Sequence, residues 1–228
     1  MASSNSEIPV NLKQRMMESY DAIAPEYNEW TTTHSEQRMQ YLGKLLGLLD
    51  EKPSSQVSVL ELGCGGGLPV TQKLLDHANF HVTANDLSGV QIDVARKNLA
   101  SDADRLELVQ GDMTELDFPN GSFDAVIGMY SLIHLPRSEQ REVMIKIAKW
   151  LKPGGYLLAN FSETAMEGKV LDKWLTEKGW GYWSGYGAEE TIAKAKETGL
   201  HIVLDEVAKD SVDDVSFLWL IATNGASS

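Results

Sequence analysis

Val57-Ser58-Val59-Leu60-Glu61-Leu62-Gly63-Cys64-Gly65-Gly66-Gly67 is a β-branched run that stops in four glycines and leads into helical spacing at Val70, Leu74 and Leu75. That order predicts a strand, a tight turn and a helix. Such a turn brings backbone N–H groups and a helix N-terminus against whatever binds, and glycines remove the side chains that would hold a ligand off. A cofactor site is expected here.

The glycine spacing excludes two phosphate-binding motifs. A dinucleotide fingerprint needs a third glycine where Leu68 stands, and a P-loop needs Lys-Ser/Thr where Leu68-Pro69 follow Gly67. Glu61-x-Gly63-x-Gly65-x-Gly67 instead resembles the glycine motif of class I S-adenosylmethionine (SAM)-dependent methyltransferases. The resemblance extends over most of the chain, about residues 19–224. It is most like the small-molecule branch that includes ubiquinone/menaquinone-biosynthesis methyltransferases. It implies an α/β fold: a Rossmann-like seven-stranded sheet with helices on both faces, its last strand antiparallel, and SAM across the carboxyl edge of the first strands.

The chain has 228 residues, 43% of them hydrophobic, enough for one substantial core. Residues 1–10 read as a disordered tail and 11–228 as a single domain. Thirty-three acidic against twenty basic side chains give net −13, which disfavours a phosphate-backbone partner. The N-terminus lacks the charged and apolar regions of a signal peptide, and no apolar run approaches the ~20 residues that span a bilayer. A soluble, cytoplasmic protein, monomer or homodimer, acting on a small molecule is therefore expected. The lone Cys64 permits no intrachain disulfide. It reads as a small packed side chain in the turn, although a helix N-terminus also lowers thiol pKa.

Leu12, Met16, Met17, Tyr20 and Ile23 recur at helical spacing and lead into Tyr20-Asp21-Ala22-Ile23-Ala24-Pro25-Glu26-Tyr27-Asn28-Glu29-Trp30. This pattern resembles the N-terminal lid of the same branch, taken here as about residues 11–50. The resemblance puts Tyr27 near the methionine part of SAM and Tyr20 and Trp30 near the acceptor; all three also suit plain aromatic anchoring. Asp86 closes the second strand, where a carboxylate accepts hydrogen bonds from ribose hydroxyls or caps the next helix. After a third strand at Leu106–Gln110 comes Gly111-Asp112-Met113. In the resembled family such an acid receives the adenine amino group and the next residue covers the base; an Asx-turn is the alternative. The cofactor contacts so implied are Tyr27, Glu61, Gly63, Cys64, Gly65, Gly67, Asp86, Leu87, Gly111, Asp112, Met113 and Met129.

Phe123-Asp124-Ala125-Val126-Ile127-Gly128-Met129 suits a central parallel strand, with polar chemistry resuming at Tyr130-Ser131-Leu132-Ile133-His134. His134 is a candidate general base or acceptor-orienting group. Lys152-Pro153-Gly154-Gly155 resembles the turn into the family's fifth strand, expected over 156–161. Residues 162–187 carry Trp174, Trp180, Tyr182, Trp183 and Tyr186 among Gly179, Gly181, Gly185 and Gly187. They read either as a mobile aromatic cover or as an anchored connection. Tyr130, Trp180 and Trp183 complete the candidate acceptor contacts. Two final strands, at 201–207 and 215–222, are joined by a link too short for a crossover helix.

Methyl transfer from a sulfonium needs alignment behind the methyl group and no metal, and the five scattered histidines form no metal motif. Transfer to O, N or S of a partly aromatic or apolar metabolite is the expected reaction. Two rivals remain: a methyltransferase-like enzyme that keeps SAM while assisting ring closure, and a non-catalytic SAM-binding scaffold.

Overall fold

A computed structural model describes residues 8–51, 55–210 and 215–225 of the chain. Most of the tail expected at residues 1–10, and most of the link before the last strand, lie outside the described residues. The elements run α1 (Leu12–Ala22), α2 (Ala24–Thr33), α3 (Glu36–Asp50), β1 (Val57–Leu62), α4 (Val70–Leu75), β2 (Phe80–Asp86), α5 (Gly89–Asn98), β3 (Leu106–Gln110) and β4 (Phe123–Gly128). There follow α6 (Arg137–Trp150), β5 (Leu151–Ser162), β6 (Ala165–Asp172), β7 (Trp180–Tyr186), α7 (Ala188–Glu197), β8 (Leu200–Lys209) and β9 (Ser216–Asn224).

Seven strands form one sheet in the order β3-β2-β1-β4-β5-β9-β8. β3, β2, β1, β4 and β5 are parallel, and β9 is inserted antiparallel between β5 and β8. This is the class I, Rossmann-like methyltransferase sheet expected from the sequence. Successive strand residues point to opposite faces, so each strand feeds two cores. Val57, Val59, Ala125, Ile127, Leu158, Trp219 and Ile221 pack with α3, α4 and α5. Leu60, Leu62, Val126, Leu157, Ala159, Leu220 and Ala222 pack with α6 and α7. Burial on both faces is why the central strands are nearly continuous apolar sequence.

Three boundaries differ from the sequence reading. The N-terminal helix breaks at Ile23, because Pro25 sits in the first turn of α2, where its missing N–H costs nothing. β5 begins at Leu151 rather than 156, with an irregular register opposite Phe123 and Ala125. Residues 162–187 hold an antiparallel hairpin, β6 with β7, forming its own two-stranded sheet.

Strand order reverses between β1 and β4, and the crevice at such a reversal is where open α/β sheets bind ligands. α1, α2 and the hairpin lie around that edge. α1 is fastened there by Leu12 and Met16 against Trp180 and Tyr182, by the Arg15 guanidinium 4.0 Å over the Trp180 ring, and by Trp180 N–H donating to Ser19 Oγ at 2.7 Å.

Candidate active site

The turn after β1 is as tight as its glycines imply. Gly63 has φ +76° and an added Cβ would stand 2.4 Å from Ser131 Cβ, so only glycine lets the β1 and β4 loops meet. Gly65 N–H donates to Asp86 Oδ2 and Ser88 N–H to Asp86 Oδ1, each at 2.8 Å, while Ser88 Oγ accepts from Gln91 N–H as the cap of α5. Asp86 therefore organises the turn, and Ser88 does the capping. Each Asp86 oxygen keeps acceptor capacity beyond its backbone bond. Burial pushes the Asp86 carboxyl up to about 6, against the pull of these backbone N–H groups.

Three cavities meet at this edge. One of about 80 Å³ is lined by Tyr20, Tyr27, Gly63, Gly65, Asp86, Leu87, Gly111, Asp112, Met113, Tyr130, Ser131 and His134, with Lys13 and Met16 of α1 above. A second, of about 30 Å³, is polar and lies between Arg38 and Glu61, with Tyr27, Asn28, Thr31, Cys64 and Met129 in its wall. The third, of about 420 Å³, runs outward past Tyr20, Tyr27, Trp30, Tyr130, His134, Trp174, Trp183 and Phe217. Tyr27 alone lines all three among the described residues.

Glu61 and Arg38 give the polar pocket its character. Glu61 is buried and accepts from Thr71 Oγ1 at 2.6 Å; burial pushes its carboxyl up to about 8, despite that bond and the Arg38 charge. Arg38 is buried on α3, its guanidinium 4.1 Å from the Tyr130 ring centroid, with Nη1 donating to the His34 carbonyl. Among the described residues no carboxylate lies within ion-pair distance of it. Thr31 Oγ1 in this pocket and Ser131 Oγ in the first are buried without hydrogen-bond partners. Buried hydroxyls left so are costly unless a ligand or water bonds them. A guanidinium, a carboxyl that a neighbouring ammonium would ionise, unpartnered hydroxyls and an open backbone turn fit the ends and the ribose of SAM.

His134 follows β4 in a single 3-10 turn, Leu132–His134. Its Nδ1–H donates to the Tyr182 carbonyl at 2.7 Å, which leaves Nε2 as an acceptor for the Tyr20 hydroxyl at 2.9 Å. Burial holds the imidazole down to about 4, opposed by the Tyr182 carbonyl, and raises the Tyr20 phenol well above its ordinary value. At neutral pH the pair is a neutral imidazole facing a neutral phenol. Tyr130, at φ +56°, is held in its left-handed conformation by its N–H donating to Asn160 Oδ1 at 2.6 Å. That strain puts a large ring at the junction, a common use of such outliers.

Two of the sequence-derived contacts, Trp180 and Gly67, are not among the residues that line the three cavities. Trp180 is buried beneath α1 and Arg15. Gly67 also faces away, and an added Cβ would strike Leu99 Cδ1 at 2.6 Å, so it serves helix packing. Asp112 does stand in the first cavity, yet it pairs with Lys13 Nζ at 3.0 Å, and Lys13 also pairs with Glu139 at 2.5 Å. Arg38 was not among the sequence candidates, and Trp174 was named only as one of the aromatic cluster in residues 162–187. Trp174 comes inward from the hairpin tip between Lys173 and Leu175, both at positive φ, and its ring packs on Tyr20, Tyr27 and Trp183 at 5.5–5.9 Å between centroids.

Residues 59–155 match the family model described as Methyltransferase domain. Sterol 24-C-methyltransferase erg-4 of Neurospora crassa is 28% identical over 191 residues, covering 80% of this chain and 48% of that protein. The chain thus spans about half the length of that relative. Among solved structures, the Burkholderia thailandensis 1,6-didemethyltoxoflavin-N1-methyltransferase superposes with TM-score 0.78 at 16% identity, over 98% of this chain and 93% of that one. The [4+2]-cyclase SpnF does so with TM-score 0.72 at 20% identity, over 98% and 100%. The chain has the class I, Rossmann-like methyltransferase fold, and the class that these likenesses support broadly is the SAM-dependent methyltransferases.

Proposed function

We propose that the protein transfers a methyl group from SAM to an oxygen, nitrogen or sulfur atom of a small, partly aromatic or apolar metabolite, as an enzyme of the small-molecule branch. The observation that carries this reading is the meeting of three chemically different cavities at Tyr27. Asp86 would take the ribose hydroxyls and Asp112 the adenine amino group, with Leu87 and Met113 against the base. Arg38 would take the amino-acid carboxylate and Glu61 the ammonium. The remaining, aromatic cavity is left for the acceptor. In this reading residues 11–228 act as one domain, with α1 to α3 as its lid and the hairpin as its cover.

When bound, SAM supplies an electrophilic methyl group on a positively charged sulfur. The chain's own part is orientation, exclusion of water and disposal of a proton. An acceptor X–H donates to the Tyr20 oxygen, Tyr20 passes its own proton to His134 Nε2, and His134 keeps Nδ1–H on the Tyr182 carbonyl. The X–CH₃ bond forms as the S–CH₃ bond breaks, and one proton ends on the imidazole. Burial makes imidazolium costly, but His134 gains its charge as the positive charge beside it is discharged. A base so placed contributes roughly 10²–10⁴-fold, with alignment supplying the rest.

Purified protein incubated with SAM and a metabolite extract tests the reading by mass spectrometry. The expected result is S-adenosylhomocysteine rising in step with a small product heavier by about 14 Da, the mass change that separates transfer from ring closure on one fold. A product of unchanged mass, or methyl label only on protein or RNA, would count against it.

A further inference from the structure

The acceptor cavity carries charge as well as rings. Three charged residues line it: Arg38, Asp210 and Lys169. Arg38 and Asp210 both flank Tyr130, the first stacked 4.1 Å over its ring and the second accepting its hydroxyl at 3.1 Å, so opposite charges offset each other at that end. Lys169, exposed on β6 of the hairpin, lines the same cavity.

Its carboxylate neighbours on the hairpin are engaged elsewhere or turned away. Glu167 pairs with Arg137 at 2.6 Å, and Glu177 pairs with Lys173 at 2.6 Å. Asp172 lies three residues along β6 and so on the opposite face. Among the described residues Lys169 has no ion-pair partner, although the chain carries thirty-three acids. It is directly opposite Trp183 across the ladder, and it lines the same cavity as the packed rings of Trp183 and Trp174.

We propose that the acceptor is a flat aromatic compound carrying an anionic group, held with its ring against Trp174 and Trp183 and its anion on Lys169. This rests on the methyl-transfer reading of the same cavity and deepens it. The aromatic walls supply contact area, and the unpaired cation chooses among acceptors of similar shape by charge. Recognition of the acceptor by Lys169 is then separate from the removal of its proton by the Tyr20–His134 pair.

The test uses three probes of one shape: naphthalene-2-carboxylate, neutral 2-naphthol and (2-naphthyl)methylammonium, titrated into the protein saturated with S-adenosylhomocysteine. The wild type should bind the carboxylate at least tenfold more tightly than the ammonium, with the margin shrinking as salt is raised. Lys169→Met should lose most of that margin while holding 2-naphthol within about twofold, because its methylenes still cover the ring wall. Lys169→Glu should invert the order. Equal preference in wild type and both variants, or a wild-type preference for the ammonium, would overturn the proposal. So would tight S-adenosylhomocysteine binding with none of the three probes bound. Failure to bind S-adenosylhomocysteine at all would instead overturn the methyl-transfer reading beneath it.

Discussion

Asp86 ties the Gly65 and Ser88 N–H groups together and would still serve the ribose. Its replacement by alanine is expected to weaken SAM binding by about 1.5–3 kcal/mol, the range for hydrogen bonds to a charged group; calorimetry on protein with native-like melting measures it. Arg38 offers a sharper contrast. Arg38→Met should weaken SAM tenfold or more but leave 5′-methylthioadenosine, which lacks the carboxylate, within about threefold. Equal losses for both ligands would make Arg38 a packing residue. Asp86 was legible in the sequence because a strand end and a glycine turn fix it locally, twenty-three residues after Gly63. Arg38 was not: on α3 it reads as an ordinary polar helix position, and only the long-range packing of α3 on the sheet brings it beside Tyr130 and the polar pocket.

At the scale of elements, α1 and the hairpin matter most. Lys13 of α1 occupies Asp112, so α1 narrows the cavity that the nucleoside would enter. Lys13→Met should therefore speed SAM association by a few-fold, since a half-exposed pair of this kind is worth about 1 kcal/mol at most. Stopped-flow measurement of an unchanged association rate would show that α1 opens independently of this contact. The hairpin explains why Trp180 lies outside the three cavities. On a strand, residues three apart point to opposite faces, so Trp180 and Trp183 cannot share a wall. Trp183 lines the aromatic cavity and Trp180 faces α1. The glycines among these aromatics concealed the strand pattern, and the parity argument needs a strand to begin with. The seven-stranded sheet was legible for the converse reason: its strands are apolar on both faces and each is closed by a recognisable turn.

For the whole molecule, three buried groups tie stability to pH: Glu61 and Asp86 in one direction and His134 in the other, with the Asp86 contribution lost as pH rises between about 3.8 and 6. Glu61 lies at about 8 when folded against 4.5 as its ordinary value, so the folded state holds an extra proton between these limits. Its contribution is complete below about 4.5 and is lost as pH rises toward 8. His134 lies at about 4 against 6.5, so its contribution is complete above 6.5 and is lost as pH falls toward 4. Above pH 6.5 the Glu61 loss remains, joined by the last of the Asp86 loss, and the melting temperature of the ligand-free protein should fall from pH 6.5 to 8. A cofactor ammonium beside Glu61 favours its carboxylate, so S-adenosylhomocysteine should flatten that fall and release protons on binding. Melting curves with and without the ligand check the first point, and calorimetry in buffers of different ionisation enthalpy checks the second. A ligand-free melting temperature that rises from pH 6.5 to 8 would contradict the assignment.

Cofactor and acceptor are expected to meet at Tyr27. A crystal structure of the protein with S-adenosylhomocysteine tests it most directly. The expected result is the ribose on Asp86, the amino-acid end between Arg38 and Glu61, and the sulfur beside the Tyr27 ring, facing Tyr20 and His134 across the aromatic cavity. A nucleoside seated away from Asp86, or an amino-acid end directed away from Arg38 and Glu61, would contradict the account.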